Sequence, residues 1–65
     1  MNLNPLVAVH VAAKYICDHQ ISTDDLMEVE RILTEVVAEV HDLPAETRRI
    51  LAVAVAERVA LTRQV

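Results

Sequence analysis

Seven consecutive apolar residues, Ile50-Leu51-Ala52-Val53-Ala54-Val55-Ala56, occupy the C-terminal third of a chain of only 65 residues. A surface helix keeps one face polar, and a helix through this run has no polar face for about two turns. A three-helix unit of this length has a shallow interior. The run therefore predicts cover from outside the monomer, and a second copy in a symmetric dimer is the simplest source.

Composition sharpens the same expectation. A single domain of this size buries only about 60% of the surface its unfolded chain exposes, and small scaffolds usually need a disulfide, a metal or oligomerisation. The lone cysteine, Cys17, excludes an intrachain disulfide and points to a reducing compartment. Hydrophobic residues make up 54% of the chain, with one aromatic, Tyr15, so Val, Leu, Ile and Ala must build the core. There is no glycine, which leaves turns with φ > 0 without their easiest residue and disfavours tight β-hairpins. The expected class is all-α.

The formal charge of −4 disfavours nucleic acid and anionic membrane surfaces, both of which attract Lys and Arg. The N-terminus has no basic region, and the apolar stretch from Leu6 to Ala13 is short and interrupted by His10. It matches neither a signal peptide nor a membrane span, so the expected localisation is cytoplasmic.

Three helices are readable from their ends, over about 5–19, 22–41 and 44–63, within a single helical domain covering 1–65. Asn4 suits an N-cap and Pro5 the first helical position. On that helix Leu6, Val9, Ala13, Ile16 and Cys17 share a face, Val7, Val11 and Tyr15 form a second apolar stripe, and His10, Lys14 and Asp18 form a narrow polar band. For the second helix, Ser22 is the expected N-cap, with Asp25 in a capping-box position and Ile21 and Leu26 placed as a hydrophobic staple. Leu26, Val29, Leu33, Val36, Val40 and Leu43 recur at spacings of three and four, a heptad-like seam, opposite a solvated face of Glu28, Arg31, Glu35, Glu39 and Asp42. Pro44 opens the third helix, Glu46 suits its N-terminal end, and Arg58 and Arg63 suit its C-terminal end. There Ala52, Ala56 and Ala60 form a ridge of methyl groups beside a Leu51, Val55 and Val59 stripe. A connection of about three residues predicts an antiparallel hairpin of helices 2 and 3, with helix 1 packed across it, in a homodimeric helical bundle.

No residue pattern carries catalytic, cofactor or metal chemistry. His10 and Cys17 lack the closely spaced ligand pairs of a zinc site, and His19 or His41 would have to be brought to them by folding. Cys17 has no adjacent base, and the carboxylates at Asp24, Asp25, Glu28 and Glu39 are accounted for by a helix cap and a solvated face. Arg48 and Arg49, with Arg58 and Arg63, are the one basic cluster. A recognition helix would expose polar base readers where helix 3 is apolar, and the turn before it lacks the usual glycine.

The expected partners are a second copy and another protein. Self-association is assigned to Ala52, Val55, Ala56, Val59 and Ala60. Partner binding is assigned to Val7, Val11 and Tyr15 as apolar anchors, with Arg48 and Arg49 for charge steering. The expected function is a small non-enzymatic interaction module, a regulator, adaptor or inhibitor acting as a homodimer. The alternatives are a dimeric nucleic-acid-binding transcriptional regulator using Arg48 and Arg49, and an accessory subunit of a larger enzyme complex.

Overall fold

Asn4 and Pro5 start the first helix as the sequence predicts. In the computed structural model, which describes residues 3–64, the Asn4 side-chain oxygen accepts the Leu6 N–H at 3.0 Å and α1 runs Pro5–Asp18. His19 closes α1, and Gln20 follows with φ 55°. The Ile21 N–H reaches back to the Ile16 carbonyl at 3.0 Å, and the Gln20 N–H to that of Cys17 at 3.2 Å. This is a Schellman closure, which usually places glycine where Gln20 stands. The turn expected to be difficult in a glycine-free chain is made by an ordinary residue, at a cost of about 1–2 kcal/mol.

The second helix begins later and ends earlier than its sequence pattern suggests. Asp25, not Ser22, is the N-cap: its side-chain oxygen accepts the Met27 N–H at 3.0 Å, and α2 runs Leu26–Val36. The Ser22 hydroxyl accepts the Asp24 N–H at 3.2 Å and makes a turn ahead of the helix. With several good capping residues in succession, the one immediately before Leu26 sets Val29, Ile32 and Leu33 inward. The capping box and staple expected around Ser22 are therefore displaced.

At Val37 the backbone becomes extended, and a 3₁₀ turn, Ala38–Asp42, replaces the last part of the expected helix. The break exchanges Val36 for Val37 in the apolar seam, so Val37 joins the expected Val40 in the core while Val36 and Leu43 sit half-buried at its margin. Residues three apart eclipse one another in a 3₁₀ turn, which lets both valines face inward. Leu43 and Pro44 are extended, and α3 runs Ala45–Arg63.

These helices form an all-α fold with no strand among the described residues. Each pair of the three α-helices is in contact. The fully buried side chains are Ile16, Val29, Leu33, Val40, Val55 and Val59, each of a kind that contributes about 1.5–3 kcal/mol on burial. Ala8, Ala12 and Ala13 on α1 and Ala52 on α3 are also buried, and such small side chains let helix backbones approach closely. Leu6, expected on the inner face of α1, is 80% exposed instead, because the buried stripe runs through Ala8, Ala12 and Ile16. The end of α3 is tied back by Arg63, which donates to the Ile21 carbonyl at 2.6 Å. No described helix is long and apolar enough to cross a membrane.

Candidate interaction surface

The apolar run of α3 divides by angle around the helix. Leu51, Ala52 and Val55 point into the core, as does Val59 beyond the run. Ile50 and Val53 point outward, and Ala54 and Ala56 lie half-buried on the shoulders. This corrects the sequence-based assignment of self-association. Ala52, Val55 and Val59 are occupied within the protomer, and of the five assigned residues only Ala56, in part, and Ala60 reach the surface. The fold does provide an interior for this helix, because α3 touches both α1 and α2.

The outward residues of α3 meet an apolar edge of α2. Leu26 and Met27 directly follow the Asp25 cap, on a turn that the core does not cover. With Glu30, Arg49, Ala52 and Val53 they line a groove of about 280 Å³. Ile50, 62% exposed, stands on the outer side of α3. Sequence reasoning missed this surface by treating Leu26 as a core seam position and by assigning neither Ile50 nor Val53 to a face of α3. The available signal was the row Glu46, Arg49, Ile50, Val53 and Glu57, which recurs at spacings that place it on one side of α3 and mixes charge with apolar residues.

The α1 stripe of Val7, Val11 and Tyr15 is exposed in part. It is also engaged locally. The Tyr15 ring stacks on His19 with ring centroids 4.1 Å apart, and His19 Nδ1 donates to the Tyr15 carbonyl at 2.9 Å. Val7 and Val11 border a cleft of about 260 Å³ with Leu3, Val37 and Glu39.

The arginines do not form one basic surface. Arg48 is partly covered and lies 3.7 Å from Glu30. Arg49 borders the apolar groove, Arg58 shares a separate groove with His10 and Lys14, and Arg63 holds the Ile21 carbonyl. On the solvated side of α2, Arg31 hydrogen-bonds to Glu28 and Glu35. The hydrogen bond from Arg31 holds the Glu28 carboxyl below the usual carboxylate range, and both carboxylates raise the Arg31 guanidinium above its own.

His10 and Cys17 border the same groove, but His19 and His41 are elsewhere. Among the described residues, no three or more His, Cys, Asp or Glu side chains are grouped to hold a metal ion. No family model, curated protein or solved structure matches the chain.

Proposed function

We propose that this chain is a small non-enzymatic interaction module, a regulator, adaptor or inhibitor that acts as a homodimer and binds a further protein through an apolar helix face. The observation that carries this reading is the exposure of large apolar side chains on two separate faces, Leu26, Met27, Ile50 and Val53 on α2 and α3, and Val7, Val11 and Tyr15 on α1. Isolated surface hydrophobes are ordinary, whereas grouped ones mark interaction sites. In this reading α2 and α3 are an antiparallel pair. Leu26 at the start of α2 shares a groove with Val53, and Thr34 further along shares another with Arg48, near the start of α3.

Sedimentation equilibrium of the purified chain at micromolar concentration tests the dimer. The expected mass is twice 7.2 kDa. A folded monomer up to about 100 μM, a range in which transient complexes already form, would remove the homodimer from the proposal. For the further partner, proteins retained by the wild-type chain but not by a Val11→Glu variant would identify the occupant of the α1 face. Retention unchanged by that variant would place the contact elsewhere.

A further inference from the structure

We infer that the outward ridge of α3 is where two copies of this chain meet, crossing antiparallel about Val53 so that Arg49 of each copy pairs with Glu57 of the other. This rests on the homodimer proposed above and specifies its contact.

Arg49 stands four residues before Val53, and Glu57 four after it. All three are exposed, and they lie along one i±4 row of α3. The commonest crossing of two helices interdigitates such rows. When the two helices run in opposite directions, the Arg49 end of one row lies beside the Glu57 end of the other, and symmetry repeats the pair. When they run in the same direction, Arg49 meets Arg49 and Glu57 meets Glu57. The charge order along the row therefore favours the antiparallel arrangement and penalises the parallel one.

Both charged groups are available for this role. Among the described residues, ion pairs join Lys14 to Asp18, Arg31 to Glu28 and Glu35, and Arg48 to Glu30, and none uses Arg49 or Glu57. Arg49 and Glu57 are about 12 Å apart along the helix axis, too far to pair with one another within it. Between and beside them the surface is apolar or small: Val53 within the row, Ile50 beside it, Ala60 one turn further, and Leu26 and Met27 across the groove. A stable dimer buries on the order of 800 Å² per partner, about a sixth of the 4589 Å² that this protomer exposes. A single row of side chains is too narrow for that, so the contact takes in Leu26 and Met27 as well. Two chains of charge −4 repel each other, and the two cross-copy pairs offset that repulsion where the surfaces touch.

The test is a charge swap read by sedimentation equilibrium, with circular dichroism as the folding control. Arg49→Glu alone places carboxylate against carboxylate twice, and Glu57→Arg alone places guanidinium against guanidinium twice. Each is expected to weaken the dimer at least about ten-fold. An equimolar mixture of the two variants is expected to recover dimer mass, because every pair across the contact is then of opposite sign. If either variant dimerises like wild type, or the mixture remains monomeric, this contact is wrong. A wild-type dimer indifferent to both substitutions overturns the α3 contact and leaves the homodimer standing. A wild-type monomer overturns both.

Discussion

Val53 and Val55 stand two residues apart on α3, in the same apolar run. Val55 is sealed in the core, whereas Val53 is 41% exposed beside Arg49 and the edge of α2. The two valines are alike as side chains and differ in what surrounds them. The inward side of α3 finds its cover in α1 and α2, and its burial stabilises the protomer. The outward side finds only a groove, and its apolar side chains stay exposed. An apolar run in a small helical protein can thus serve the core on one side and leave apolar surface on the other, with the division set by an angular offset of two residues.

A charge placed on each side should act very differently. Val55→Asp buries an unpaired carboxylate and is expected to cost about 3–5 kcal/mol, enough to unfold much of so small a domain. Val53→Asp is expected to leave the unfolding free energy of the monomer, measured by urea titration under dilute conditions, within about 0.5 kcal/mol of wild type. Similar losses from the two variants, followed by circular dichroism, would show that the inward and outward sides have been misplaced.

Volume gives a smaller contrast. Ala52, buried against its neighbours, should not tolerate enlargement, and Ala52→Leu is expected to lower stability by about 1–3 kcal/mol. Ala60→Leu, on the exposed side, should leave monomer stability nearly unchanged while altering the association constant. Equal thermal shifts in the two variants would contradict the close packing assigned to Ala52.

The α1–α2 connection is linked to the end of α3 by the Arg63 bond to the Ile21 carbonyl. Gln20 holds φ 55° there. Gln20→Gly relieves the left-handed strain and is expected to raise stability by about 0.5–1 kcal/mol, with no change in association. A lower denaturation midpoint would mean that the Gln20 side chain contributes more than its backbone strain costs.

The smallest effect belongs to the solvated face of α2. Glu28 is held below its ordinary pKa of 4.5 by the hydrogen bond from Arg31. A carboxylate whose pKa is lowered on folding adds stability that is present above its unfolded pKa and lost as pH falls through the lowered folded value. Glu28→Gln should therefore lower stability slightly above pH 4.5 and flatten the fall below it, so that variant and wild type converge in acid. An unchanged acid limb would show that the exposed pair contributes nothing measurable.

Much of the secondary structure was legible because its causes are local. Asn4 and Pro5 start α1, Pro44 precedes α3, and the absence of glycine and near-absence of aromatics favour helices with narrow, aliphatic contacts. The second helix was read too long at both ends. Ser22 and Asp25 both suit a cap, and local preference does not choose between them. The seam through Val36 and Val40 looks continuous until tertiary packing draws Val37 inward. The exposed stripe of Val7, Val11 and Tyr15 could be read from its spacing, but the stacking of Tyr15 on His19 could not.

The amino-acid sequence by itself determined that this chain is helical, where most of its helices begin, and that its apolar content must be divided among several helix faces. These follow from capping chemistry, proline geometry and the spacing of side chains along one element. Only the tertiary structure decided which apolar residues are inside. Ala8 and Ala12, rather than Leu6, lie at the buried contact of α1, and Val55, rather than Val53, lies in the core. Burial is a relation between helices. It depends on their relative rotation and separation, and no window along a single segment contains that information.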